Sequence, residues 1–137
     1  MSENLITLHR YYISANLMRT HFDETLARYN SHEGTKLDSL LYMELWYASL
    51  YVVIEGWKIL KFKDNKIDCL LSSSNVSLLK NYRNCVFHFQ RAYHDERVLK
   101  FIAEKDIVEW VRSLNQEFGR YFLTAELQSA GKAIQLS

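Results

Sequence analysis

The chain has 137 residues, a mass of 16.3 kDa and a formal net charge of +1. That is the size of one domain, spanning 1–137, with a single core that needs neither metals nor disulfides. Hydrophobic residues make up 48% and charged residues 24%, with no proline and 4 glycines, which excludes a disordered chain and a turn-rich β fold and favours long helices. A pI near 7.8 excludes nucleic-acid binding driven by global positive charge, so any RNA contact has to be local.

The opening "MSENLITLHRYYIS" has no basic head, apolar middle and small-residue cleavage site, so export is not expected and a cytoplasmic location is. From Ser2 or Glu3 a helical pattern runs through Leu5, Leu8, Tyr12, Ala15, Met18 or Arg19, Phe22 and Leu26 and ends near Asn30. "SHEGT" is a loop. A long second helix follows to about Phe62, with Leu37, Leu41, Leu45, Ala48, Val52 and Ile59 as its expected core stripe. Its most apolar run, "LWYASLYVVI" from Leu45 to Ile54, is about half of the roughly 20 residues that span a bilayer, so a core helix is expected and no membrane contact.

"KFKDNK" is a solvated turn in which Asp64 can cap a short helix, "NKIDCLL". "SSSN" breaks the chain again and can cap a fourth helix from about Val76 to Phe89. Asp95 can cap "ERVLKFIAE", and Asp106 a final long helix with Ile107, Val111, Leu114, Phe118, Phe122 and Leu127 along its stripe. The tail after "SAGK" is expected to fray. Long amphipathic helices with short connections imply an all-α, antiparallel bundle of four to five main helices plus short ones. Cys69 and Cys85 both lie in apolar helical contexts without ligand spacing, which suits reduced, buried thiols.

The fourth helix carries the chemistry. In "NYRNCVFHFQ", a helical wheel puts Leu79, Tyr82, Val86 and Phe89 on the core side and Asn81, Asn84, His88 and Arg91 on a polar stripe opposite. Asn84 is one turn from His88 and can orient its ring. Arg83 falls about 140° from His88 on this ideal wheel, so their joint action needs the arginine's reach, a local bend, or a second copy of the helix. An arginine followed by a histidine four to six residues later is expected about 0.9 times in a chain of this composition, so that spacing alone says nothing. Requiring asparagine directly after the arginine lowers the expectation to about 0.05, which makes "RNCVFH" a moderately specific signal.

These residues resemble the R-N-x-x-x-H signature of HEPN domains, small all-helical bundles many of which are RNases. The surroundings are similar too, from "YVVIEGWKIL" through "DERVLKF" to "VEWVRSL", so the likeness spans about Leu37 to Phe122. The resemblance implies a homodimer through the motif helix, whose two copies line a shared cleft, and metal-independent RNA cleavage without a cofactor. It implies His88 as general base, Arg83 as the phosphate-binding group and Asn84 as the residue holding the ring or contacting phosphate. A toxin or defence effector is a role this resemblance suggests, with an antitoxin protein as a potential partner. The family also contains non-catalytic members that bind nucleotide, RNA or protein.

The chemistry is sound without the resemblance. RNA carries its own nucleophile, a histidine can take its proton at neutral pH, and a guanidinium can grip two phosphate oxygens. Glu55, the sole charge between Leu45 and Trp57, adjoins the core stripe and is a candidate to pair with Arg83 or orient His88, the alternative being a carboxylate that reaches solvent or Lys58 one turn on. Tyr82, Phe87, Phe89 and Tyr93 interleave with the polar stripe; Tyr93 is the aromatic expected to stack on a base, the others being expected in the core. Lys80, Arg91 and Arg97 are candidates for a basic rim. The histidines show no metal-ligand spacing.

Overall fold

A computed structural model describes residues 2–91, 96–104 and 106–136, without the side chains of Leu99, Ile102 and 133–136. It is all-α: among the described residues there are six helices and no strand. They are α1 (Glu3–Asn30), α2 (Lys36–Ile59), α3 (Asn65–Leu71), α4 (Asn75–Phe87), α5 (Glu96–Ala103) and α6 (Ile107–Leu136).

Local chemistry sets the helix ends. The Ser2 hydroxyl accepts the Leu5 N–H, Thr35 accepts the Asp38 N–H, and the Asp64 carboxylate accepts the N–H groups of Lys66 and Ile67. Each cap satisfies donors that the first helical turn leaves open. Both long N-terminal helices stop in the same way. His32 and Lys61 take positive φ angles of 62° and 58°. The residue after each donates back to the carbonyl of Arg28 or Trp57, and His32 and Lys61 themselves donate to Tyr29 and Lys58. This is the Schellman closure. In the second case Phe62 also packs on Trp57, with ring centroids 5.8 Å apart. Helix α2 therefore ends at Ile59, short of the expected Phe62.

Helices α1 and α2 are antiparallel neighbours: Leu8 lies against Gly56, and Phe22 against Trp46. A Cβ on Gly56 would come within 2.5 Å of a Leu8 methyl, so the missing side chain permits this close approach. Helix α6 runs antiparallel to α1, with His9 on Phe122, Asn16 on Asn115 and Asp23 on Arg112. Trp110 Nε1 donates to the Leu70 carbonyl and Arg120 pairs with Asp64, which fastens α3 to α6.

The stripes expected on α1 and α6 are the ones that face inward, except that Leu127 is exposed. On α2 the expected stripe is wrong in phase. Leu37 and Ile59 are 60% and 73% exposed and Leu41 and Leu45 also face outward, while Trp46, Tyr47, Leu50, Tyr51, Val53, Ile54 and Trp57 join Ala48 inside. The reason is that α2 is apolar on all sides, so periodicity offers no unique inner face. The large aromatics take it because each buries more area, at about 1.5–3 kcal/mol per large apolar side chain. By length and composition α2 is also apolar enough to cross a membrane, but eight of its apolar residues are buried in the core.

Other expectations are corrected. Cys69 is exposed and Cys85 half-buried, so the thiols are not both interior. Helix α6 continues past Gly131 to Leu136 instead of fraying after "SAGK". Ser74 at the start of α4 makes no side-chain cap; the Ser73 hydroxyl accepts the Asn75 N–H instead. The Asp106 carboxylate accepts from Asn75 Nδ2, joining the starts of α4 and α6. The expected cap Asp95 lies outside the described residues.

Candidate functional site

Helix α4 is held by its apolar side. Leu79 and Tyr82 are buried, and the Tyr82 ring stacks on Phe101 of α5 with centroids 4.3 Å apart and meets Tyr47 of α2 edge-on. Burial of both phenols pushes them up, Tyr47 to about 12, because the charged form is poorly solvated there. With Tyr82 fixed inward, the next residue, Arg83, is directed along the α2 surface.

There it is enclosed on three sides. One guanidinium nitrogen of Arg83 pairs with Glu55 Oε1, Nε donates to Asn84 Oδ1 at 3.0 Å, and the guanidinium carbon lies 4.8 Å from the centre of the Tyr51 ring. The Arg83 side chain is only 19% exposed and that of Glu55 39%. Glu55 thus pairs with Arg83, not with Lys58. Burial and then the Glu55 charge raise the Tyr51 phenol, and Arg83 opposes them. Tyr51 is a residue that sequence reasoning missed as part of this site: it is one turn before Glu55, on a helix whose inner face was not legible.

His88 departs from the expected geometry. Helix α4 ends at Phe87, and His88 is its C-cap with extended angles, φ −116° and ψ 133°. The polar stripe through His88 and Arg91 is therefore not helical, and the wheel angle between Arg83 and His88 does not apply. Asn84 does not hold the imidazole in this structure. Its Oδ1 serves Arg83, and its link to His88 runs through the backbone, where the His88 N–H donates to the Asn84 carbonyl at 3.1 Å. Among the described residues no hydrogen bond or ion pair joins the imidazole to Arg83, Asn84 or Glu55. The site therefore gathers Glu55, Arg83 and Asn84 with Tyr51, and presents His88 at the open end of the same helix.

Comparison with known proteins finds no matching family model, curated protein or solved structure.

The early end of helix α4 has a second effect. Phe89, expected on the core side, is 92% exposed, and Phe87 is 50% exposed. Two aromatic faces therefore flank His88 in solvent, where Tyr82 is fully committed to the core. Lys80 and Arg91 are exposed, while Arg97 donates to Gln90, whose own amide donates to the His88 carbonyl. Tyr93 lies outside the described residues. No three His, Cys, Asp or Glu among the described residues are grouped to hold a metal ion.

Proposed function

We propose that the chain is a metal-independent endoribonuclease of the HEPN type, acting in the cytoplasm as a homodimer through α4 and serving as a toxin or defence effector, with RNA as substrate and an antitoxin as a potential partner. The observation that carries this reading is the clamped Arg83 on a helix whose C-cap is a solvent-facing His88, within the sequence "RNCVFH".

In this reading His88 takes the proton of an RNA 2′-hydroxyl, and the 2′-oxygen attacks the adjacent phosphorus. The bond from phosphorus to the 5′-oxygen breaks, leaving a 2′,3′-cyclic phosphate on one product. The departing 5′-oxygen takes its proton from water or from the imidazole of the second copy. Arg83 stabilises the charge that builds on the phosphoryl oxygens. Glu55, Asn84 and Tyr51 keep the guanidinium in one orientation, which lowers the cost of ordering it for each substrate. Phe87 and Phe89 offer planes on which unpaired bases can stack, and Lys80 and Arg91 add positive charge for the backbone.

A second reading rests on a specific observation: Glu55 neutralises the Arg83 charge that a scissile phosphate would need. A helical binding module that holds RNA, a nucleotide or a protein without cleaving it fits that pairing. Total RNA and denatured DNA incubated with the protein in EDTA separate the readings. Ribonuclease action predicts RNA fragments ending in cyclic phosphate and intact DNA, because DNA lacks the attacking hydroxyl. DNA cleavage excludes the 2′-hydroxyl mechanism, and saturable RNA binding with intact RNA favours the module.

A further inference from the structure

A second polar cleft, independent of the α4 site, lies between α1 and α6. It has a volume of about 450 Å³ and is lined by Tyr12, Asn16, Arg19, Arg112, Asn115 and Gln116. That volume is within the range of small-molecule sites. Its hydrogen bonds can be followed from the core outward. The indole N–H of buried Trp46 can only donate, and it donates to Asn115 Oδ1 at 3.0 Å. This fixes the Asn115 amide, whose Nδ2 donates to Asn16 Oδ1 at 3.1 Å. Asn16 Oδ1 also accepts from Arg19 Nε at 2.8 Å, so the Asn16 Nδ2 group is left as a donor.

The charges follow the same logic. Asp23 lies between the two arginines, with Oδ2 taking Arg19 at 2.8 Å and Oδ1 taking Arg112 at 2.7 Å. One carboxylate facing two guanidinium groups leaves a positive charge in excess. Arg112 also packs over Trp46, 5.3 Å from the ring centre, which fixes its plane. Among the described residues, Nε and the second terminal nitrogen of Arg112, Asn16 Nδ2 and the Tyr12 hydroxyl make no side-chain hydrogen bond. The Asn115 and Asn16 oxygens in the cleft are engaged, as are those of Asp23 beside it, whereas these donors are available; the exposed Gln116 amide offers both an acceptor and donors. The donors and the excess positive charge outnumber the open acceptors, which favours a ligand that brings acceptors and negative charge.

We propose that the α1–α6 cleft binds the phosphate group of a small phosphorylated molecule, held by Arg112 and Asn16 with Arg19 fixed behind them. An RNA backbone offers the same phosphate oxygens, so the source needs to be distinguished. The Asn115 amide, 4% exposed and locked by Trp46, makes the donor array rigid before any ligand arrives, which lowers the entropic cost of binding.

The test is an NMR titration of the full chain at constant ionic strength with inorganic phosphate, 5′-AMP and a single-stranded RNA oligonucleotide lacking terminal phosphates. Two variants accompany it. Asn16→Asp keeps the acceptor for Arg19 and Asn115 but replaces the free donor with a negative charge; Arg112→Gln removes one cation. Saturable shifts at α1 and α6 amides with phosphate and 5′-AMP are expected, weakened about tenfold to a hundredfold in each folded variant. No saturable response to either compound overturns the proposal, as does a response that both variants leave unchanged. A response to the oligonucleotide alone overturns the small-molecule assignment in favour of an RNA backbone.

Discussion

Glu55 and Arg83, 28 residues apart in the chain, meet as an ion pair across α2 and α4, over the ring of Tyr51. An arginine placed in this way is both oriented and partly neutralised by Glu55, and substituting each member of the pair separates the two effects. Arg83→Ala is expected to lower RNA cleavage by roughly 10²–10³-fold, the usual loss on removing one group that stabilises transition-state charge. Glu55→Gln retains an acceptor and releases the charge, so it is expected to tighten RNA binding and to change stability by less than about 1 kcal/mol, because the carboxylate is partly exposed. The cleavage rate of end-labelled RNA checks the first outcome, and filter binding and thermal unfolding check the second. Looser RNA binding by Glu55→Gln would contradict the role given to Glu55.

Phe89 is the most exposed large apolar side chain of the described residues, and no core role explains it. Phe89→Ala is expected to weaken single-stranded RNA binding by about tenfold, near the 1–3 kcal/mol of one stacked base, without lowering the unfolding temperature. Unchanged RNA affinity would remove it from the site.

Trp46 and Asn115 tie the core of α2 to α6 through a buried hydrogen bond. Asn115→Ala leaves the indole N–H without its acceptor, and a loss of about 1–3 kcal/mol is expected in urea unfolding. Trp46→Phe combined with Asn115→Ala should cost less than the sum of the single changes, since the orphaned donor is gone.

Asp23 and Asp64 set the acid limit of the fold. Burial raises both carboxyls, but Arg112 and Arg19 around Asp23, and the Ile67 N–H and Arg120 around Asp64, more than offset it and hold both below the ordinary value of 3.8. A carboxyl depressed in the folded state gives stability that is present above its unfolded value and is lost as pH falls toward its folded value. Unfolding temperature is therefore expected to fall below about pH 4, and Asp23→Asn and Asp64→Asn should flatten that decline. At the other end, Tyr47 is raised to about 12, so stability falls as pH rises from the ordinary phenol value of 10.0 toward 12. Absorbance at 295 nm is expected to report its ionisation only with unfolding.

The helices were legible because their caps and loops are written in local chemistry. Asp64 before "NKIDCLL" announces α3, and the three- and four-residue steps of α1 and α6 match the faces that pack. Helix α2 was legible as a helix but not in its rotation, since leucines on one side and aromatics on the other satisfy the same periodicity. Its end was hidden because Lys61, not glycine, adopts the positive φ. At the site, the pairing of Glu55 with Arg83 was readable as a lone charge needing a partner. The position of His88 was not: nothing in "VFHFQ" is a helix breaker, and the ideal wheel carried the polar stripe one turn too far. The α1–α6 cleft also escaped, because Asn16, Asp23, Arg112 and Asn115 are unremarkable surface residue types until two distant helices bring them together.

The role of His88 is decided by incubating end-labelled total RNA in EDTA with the wild-type protein and with a His88→Ala variant whose circular dichroism and unfolding temperature match it. His88 is exposed at a helix end, so the substitution is expected to leave the fold intact. Cleavage by the wild type alone is expected, with products ending in cyclic phosphate. Equal cleavage by both proteins, or intact RNA in both, would contradict it.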